Sequence, residues 1–377
     1  EKSLSEVATG FDYGMNAAAG TFDGVNKYIR ITDIDEESRC YIDKSPVSPE
    51  GELADKYLVR ENDILFARTG ASTGKTYLYK KSDGRLYFAG FLIRISVNSD
   101  NNRTFVYNST LTERYNGWVR LTSMRSGQPG INSQEYSSYK TYYPLLPEQN
   151  KIASFLEKLD QRIEKQRQLV ELLKSYKRGV VQSVFSESSY KGKSAKKWAE
   201  KPIAEIFDCI IDKGYPEADV LTIIQGFGTT LRDTGNRRIS YDKSSVATYK
   251  KVVLNDFILH LRSFEGGLEI ANETGIVSPA YTILRSKYSI SPQFYYAYFR
   301  SYAFINGKLR IAVEGIRDGK SINMDTFWKI TIPFPPLDEQ ERFAKLFVGL
   351  DTAINQANIM LNKLDTLKRG LLSLLFI

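Results

Sequence analysis

The stretch Thr69-Gly70-Ala71-Ser72-Thr73-Gly74-Lys75-Thr76 comes closest to a chemical motif in this chain. It resembles a P-loop, in which successive backbone N–H groups wrap a phosphate and a lysine reaches its oxygens. That loop needs about four residues between its first glycine and the Gly-Lys pair. Only three separate Gly70 from Gly74, and Thr69 stands where the first glycine is required. The segment is therefore read as a surface loop between Arg68 and Lys75. Its small residues suit close approach to a nucleic-acid backbone, with N–H groups and Thr69 and Ser72 hydroxyls as donors to phosphate.

Other chemistry is scarce. His260 is the single histidine, which argues against a multi-histidine metal site and a Ser-His-Asp triad. Between Leu259 and Leu261, in an expected strand, it reads as structural. Cys40 and Cys209 are too few and too far apart for a disulfide framework or a cysteine metal site. Both are expected to be buried as small hydrophobes in a reducing cytoplasm. The acidic run Asp338-Glu339-Gln340-Glu341 lies where a helix should begin, and capping with dipole complementarity accounts for it. No Asn/Asp-Pro-Pro-aromatic motif of an adenine methyltransferase occurs, since Pro335-Pro336 sits between Phe334 and Leu337. No Gly-rich loop for a methyl donor occurs either. No catalytic residue, metal or bound cofactor is expected on this chain.

Two loop pairs remain as candidates for reading DNA. One runs from Arg68 to Lys75, with a counterpart from Arg262-Ser263 to Gly267. The other is Arg125-Ser126-Gly127-Gln128 before Ile131, matched by Arg317-Asp318-Gly319-Lys320 before Ile322. Arginine and glutamine are the side chains that pair in bidentate fashion with guanine and adenine edges. The charge suits such a partner: 52 Lys+Arg against 44 Asp+Glu give a net +8. No apolar run approaches the ~20 residues of a membrane span. No signal-peptide pattern opens the sequence, and Glu1 in place of Met predicts a start a few residues upstream.

The elements that position these loops come in two copies. Residues 131–185 align with 322–376 at a constant offset of 191, and 15 of the 55 positions are identical, where about three are expected by chance. They include Ile131-Asn132 with Ile322-Asn323, Glu148-Gln149 with Glu339-Gln340, and Lys177-Arg178-Gly179 with Lys368-Arg369-Gly370. Weaker echoes lie upstream, in Leu4-Ser5-Glu6-Val7 with Ile203-Ala204-Glu205-Ile206 and Asn62-Asp63 with Asn255-Asp256. At 377 residues the chain holds two ordinary domains. The division expected is a domain over 1–145, a helix over 146–186, a solvated linker over 187–197, a domain over 198–333 and a helix over 334–377.

Both tails read as long helices. Ile152, Leu156, Leu159, Ile163, Gln166, Val170, Leu173, Lys177, Val180 and Val184 step by four and three. Phe343, Phe347, Leu350, Ile354, Ala357, Leu361, Leu364, Lys368, Leu371 and Leu375 repeat the pattern. Such spacing makes a coiled-coil seam. From Ile152 to Val184 it spans about 48 Å, more than one small domain covers, so the other tail is the natural partner. Glycine inside a helix costs roughly 1 kcal/mol, so Gly179 and Gly370 predict close approach of another backbone, from the partner tail or another subunit. The globular parts are α+β. Strands are expected over Tyr57–Phe66, Thr76–Lys80, Phe88–Val97 and Val252–Leu261, and a short aromatic helix over Tyr295–Phe304.

This plan resembles the specificity subunits of type I restriction–modification systems. The likeness rests on the duplicated order of variable domain and long helix, and on Pro144-Leu145-Leu146-Pro147-Glu148-Gln149, echoed by Pro335-Pro336-Leu337-Asp338-Glu339-Gln340. The Gly275-Ile276-Val277-Ser278-Pro279-Ala280-Tyr281 stretch adds to it. The resemblance implies two pseudo-symmetric α/β target-recognition domains separated by two long antiparallel coiled-coil helices. Each domain would read one half of a split, asymmetric site in double-stranded DNA. The implied partners are two methyltransferase subunits, which carry S-adenosylmethionine and modify adenine. In complexes that also cut unmodified DNA, restriction subunits using ATP and Mg join them. The competing readings are a nucleotide-dependent enzyme and a stand-alone bipartite DNA-binding regulator.

Overall fold

Ser3 and Glu6 set the start of the first domain in the computed structural model, which describes residues 1–186, 198–232, 243–261, 264–315 and 320–376. The expected linker 187–197 lies outside the described residues. Contacts divide the chain into two units, residues 1–167 with 359–377 and residues 168–358. Each unit thus holds one globular part and stretches of both helical tails.

In the first unit, β1 (Lys2–Ser3) leads into one helical turn, α1 (Leu4–Val7). The Ser3 amide donates to the Glu6 carboxylate at 2.6 Å, as a Ser-x-x-Glu start favours. The central antiparallel sheet has the order β2 (Ala8–Tyr13), β9 (Leu92–Val97), β6 (Asp63–Ala67), β7 (Thr76–Leu78). Along β6 the side chains alternate between two cores. Ile64 and Phe66 pack with Leu4, Ile93, Tyr115 and Tyr136, and Leu65 and Ala67 with Ile29, Tyr77 and Leu92. A sheet covered on both faces explains the unbroken apolar run Ile64-Leu65-Phe66-Ala67. The strand expected from Tyr57 begins only at Asp63, because residues 55–57 form a turn of 3₁₀ helix. Smaller pairs add β3 (Ala19–Thr21) with β5 (Val47–Pro49), and β4 (Asn26–Ile29) parallel to β8 (Arg85–Phe88). Helices α2 (Arg103–Ser109), α3 (Glu113–Thr122) and α4 (Ser133–Ser138) follow, then β10 (Lys140–Thr141), which pairs with β1.

The second unit repeats the frame. Strand β11 (Ala199–Pro202) pairs with β22 (Thr331–Phe334) as β1 pairs with β10, and is followed by the single turn α6 (Ile203–Ile206). Its sheet has the order β12 (Phe207–Ile210), β19 (Tyr281–Ser286), β16 (Phe257–His260), β17 (Glu269–Ile270). A hairpin of β13 (Leu221–Ile224) and β14 (Gly228–Leu231) is added. So are β15 (Lys250–Val252) with β18 (Gly275–Val277), and β20 (Val313–Glu314) with β21 (Ser321–Ile322). Helices α7 (Pro292–Phe299) and α8 (Met324–Lys329) complete the domain. The strand expected over Val252–Leu261 is broken at Asn255, whose φ of 73° asparagine tolerates better than most residues. The repeated Ile-Asn pair is a buried anchor and a helix cap. Asn132 accepts from the Glu135 amide and Asn323 from the Thr326 amide, each at 2.9 Å. The cysteines depart from expectation: Cys40 is half-buried and Cys209 exposed. Cys209 lies on β12 at the sheet's edge, where its side chain meets solvent.

The tails are the long helices α5 (Leu146–Val184) and α9 (Leu337–Leu375). Every seam position is buried or half-buried, including Ile152, Leu173, Leu350 and Ile354. In the first unit, Leu156 packs with Leu372 of α9, with Phe376 just after it and with Phe105 of the domain, and Leu159 and Ile163 meet Leu364. In the second unit, Phe343 and Phe347 join Val180 and Val184 of α5 and Phe185 just after it on a core of Phe294, Tyr295 and Tyr298. The seam therefore serves two partners, the other tail and its own domain. The lysines within it are ion-paired, Lys368 to Asp160 at 2.6 Å in the first unit and Lys177 to Asp351 in the second. The offset of 191 carries one pair onto the other. Gly179 and Gly370 are exposed, and a Cβ on either would meet nothing within 4 Å. The partner tail therefore does not approach them as expected.

Candidate nucleic-acid interface

A buried glutamine ties each domain to its long helix. The Gln149 amide donates to the Asn101 side chain at 3.0 Å and the Pro144 carbonyl at 2.9 Å, and its oxygen accepts from the Asn102 amide at 2.9 Å. Gln340 donates to the Pro335 carbonyl at 2.8 Å and accepts from the Ser291 amide at 2.9 Å. Asn102 and Ser291 are the N-cap residues of α2 and α7. The repeated glutamine thus locks the first turn of the long helix to a domain helix, with the polar groups of a buried amide satisfied. Glu339 adds a bond from the Trp198 indole at 2.7 Å.

A second repeated feature is a buried carboxylate under the sheet. Asp63 accepts from the Arg60 amide at 2.8 Å and from Ser96, with Arg94 at 3.9 Å. Burial pushes its carboxyl above the usual range despite these donors. Asp256 holds Arg285 through two hydrogen bonds at 2.8 and 2.7 Å. Both fix the turn that launches the central strand, and hence where the loop after that strand emerges.

In the first unit the two candidate loops meet. The Ile131 amide donates to the Arg68 carbonyl at 2.9 Å, the Gly70 amide to the Pro129 carbonyl at 2.9 Å, and Thr69 forms a bridge with Gly130. The Arg68 guanidinium lies 4.9 Å from the Tyr13 ring and 6.0 Å from the Phe91 ring, with Nε donating to the Gly90 carbonyl at 3.0 Å. Both rings are exposed. The Tyr13 hydroxyl is held by Ser133, which also lowers its pKa. Arginine is thereby fixed between aromatic faces. Gln128 and Ser126 are exposed at the edge of this surface. Arg125 closes the end of α3 through the Thr122 carbonyl at 2.8 Å and pairs with Glu135.

Lys75 departs from its expected role. It is 6% exposed, and its ammonium is used on the Ile34 carbonyl and Glu36. It braces the loop from inside and does not present itself to DNA. The phosphate-wrapping alternative fails on backbone accounting: the amides of Gly70, Thr73, Gly74 and Lys75 all donate to protein carbonyls. Thr69 and Ser72 are half-buried on the loop.

In the second unit Arg262, Ser263 and Arg317 lie outside the described residues, and Lys320 is exposed beside β21. The Ile322 amide donates to the Leu261 carbonyl at 3.1 Å, as Ile131 does to Arg68. The structural counterpart of Arg68 is therefore Leu261, one position before the arginine matched in sequence. Among the described residues no stacked arginine occupies that place. Instead the His260 ring packs edge-on against Tyr281 at 5.2 Å. They line a cleft of about 140 Å³ with Gln225, Ile223, Gly266 and Glu269. Sequence reasoning missed Tyr13 and Phe91 in the first unit and Gln225 and Tyr281 in the second, since nothing local marks them as lying beside the candidate loops. Among the described residues no group of His, Cys, Asp and Glu could hold a metal, and no helix is long and apolar enough to cross a membrane.

A family model described as the type I restriction modification DNA specificity domain matches residues 11–174. Beyond that stretch, the chain is similar to two proteins of Methanocaldococcus jannaschii. The putative type I restriction enzyme MjaX specificity subunit is 23% identical over 347 residues, covering 85% of this chain and 79% of that protein. The type I restriction enzyme MjaVIII specificity subunit is 23% identical over 348 residues, covering 84% and 79%. Residues 11–174 are thus similar to the type I restriction modification DNA specificity domain, and most of the chain is similar to type I specificity subunits. The fold agrees. The type I restriction–modification S subunit from M. genitalium superposes with a TM-score of 0.60 at 15% identity, covering 100% of this chain and 95% of that one. A chain from a structure of type I R-M complex assembly and conformational transition gives 0.59 at 17% identity, covering 98% and 95%.

Proposed function

We propose that this chain is the DNA sequence-recognition subunit of a type I restriction–modification complex, reading a bipartite, asymmetric site and scaffolding its partners. The observation that carries the reading is the duplicated frame, a domain locked by a buried glutamine to a long helix, built twice with different reading faces. Each domain takes one half-site through the loops beside its central strand, with Arg68, Ser126 and Gln128 in the first and Arg262, Arg317 and Lys320 in the second.

The chain has no catalysis of its own in this reading and binds no cofactor. S-adenosylmethionine belongs to two methyltransferase subunits, and ATP with Mg to restriction subunits where these are present, all in the cytoplasm. Two copies of one partner fit a duplicated surface. Phe155, Leu169 and Tyr176 on α5 are exposed, and so are their counterparts Leu346, Met360 and Leu367 on α9. Exposed Gly179 and Gly370 allow a partner backbone to come close on either helix.

Sequencing of modified bases in cells that express this chain with its methyltransferase tests the proposal. The expected result is one interrupted motif whose halves are not inverted copies of each other. An uninterrupted motif, or a pattern independent of this chain, rejects it.

A further inference from the structure

We infer that Gln225, at the tip of the β13–β14 hairpin, reads the edge of an adenine in the half-site of the second unit, with His260 and Tyr281 forming the wall beside it. The inference rests on the proposed function and adds a reading residue to it. Gln225 is exposed, and among the described residues its amide holds no hydrogen bond. It lies over Gly266, where an added Cβ would come within 2.1 Å of its Nε2. In the first unit Gln128 lies in the same way over Gly70, with the corresponding distance 2.9 Å. Each glycine belongs to the loop that follows the central strand. One glutamine arrives from the loop before α4 and the other from a hairpin tip, so two unrelated segments bring the same side chain to a glycine of the loop that follows the central strand.

The tip is held firmly. The Gly226 amide donates to Glu269 at 2.8 Å, and Glu269 is buried, accepting from the Tyr296 hydroxyl at 2.9 Å with Arg300 at 3.8 Å. Asn272 donates to the Phe227 carbonyl at 2.8 Å. A buried carboxylate network spent on one hairpin tip fits a side chain that must be presented in a fixed place. A primary amide sets an N–H donor beside a carbonyl acceptor, the complement of adenine N7 and N6 in the major groove. The cleft beside it, bounded by His260 and Tyr281, gives the neighbouring edge of the base pair room to approach.

The test compares wild type, Gln225→Ala and Gln225→Glu, each assembled with the methyltransferase and given a randomised duplex library, with modified bases sequenced. Gln225→Ala should relax one adenine position in one half-site, losing roughly tenfold to a hundredfold discrimination. The other half-site should stay as it was. Gln225→Glu removes the donor and should turn that position toward cytosine, whose N4 donates. It is close in shape to the native residue at an exposed site, so it reports even if the alanine variant fails to fold. An unchanged motif in either folded variant overturns the inference and leaves the proposed function standing. Uniform weakening over all positions overturns it as well, by assigning Gln225 to phosphate. A wild-type complex that yields no interrupted motif takes down both.

Discussion

The junctions between domain and helix are alike in the two units, whereas the faces beside the central strands are not. Gln149 and Gln340 make equivalent bonds to a domain helix and a proline carbonyl, and the Asp160–Lys368 and Asp351–Lys177 pairs repeat with the same spacing. At the loop after the central strand, the first unit stacks Arg68 on Tyr13 and Phe91, while the second sets His260 against Tyr281. Side chains that fix position have been kept in both copies, and side chains that face outward have diverged. If each outward face reads DNA as proposed, the two copies share one frame and differ in what they read.

The comparison predicts that the junction is sensitive. Replacing Gln340 with leucine leaves the Ser291 amide and the Pro335 carbonyl buried without partners, at a cost of about 2–4 kcal/mol. The second unit should then melt roughly 5–15 °C lower, followed by calorimetry, with Gln149→Leu doing the same to the first. A melting curve unchanged in both variants would mean that the amide is dispensable and the likeness of the junctions incidental.

A smaller effect belongs to the seam. Lys368 and Asp160 are partly exposed, so their attraction is screened and worth about 0.5–1 kcal/mol. Lys368→Glu should destabilise the chain slightly, and adding Asp160→Lys should restore it. The same cycle on Lys177 and Asp351 should return a similar coupling. No coupling in denaturant unfolding of either cycle would show that these lysines sit in the seam for another reason.

The frame was far more legible in the sequence than the readers. A four-and-three period is written in the residues themselves, so it marks every seam position from Ile152 to Leu375. The Glu-Gln repeat was visible, yet its reason, an amide buried against a helix cap, needs the third dimension. Lys75 misled because a lysine in a Gly- and Ser-rich loop normally faces water, and here Ile34 and Glu36 draw it inside. The match of Arg68 to Arg262 slipped by one residue, since loops of different length have no internal register. Tyr13, Phe91 and Gln225 carried no signal at all. Exposure of an aromatic or a glutamine is decided by packing around it, which local sequence does not encode.

If the helices fix the distance between half-sites and the loops fix their sequence, the two can be changed separately. Inserting one heptad into both α5 and α9 lengthens the rod by about 10 Å, close to three base-pair steps of about 3.4 Å. Modified-base sequencing with this variant and its methyltransferase should return the same two half-sites, with the unread gap wider by about three base pairs. An unchanged gap in a folded, active complex, or half-sites that change with the rod, would contradict the division of labour between frame and readers.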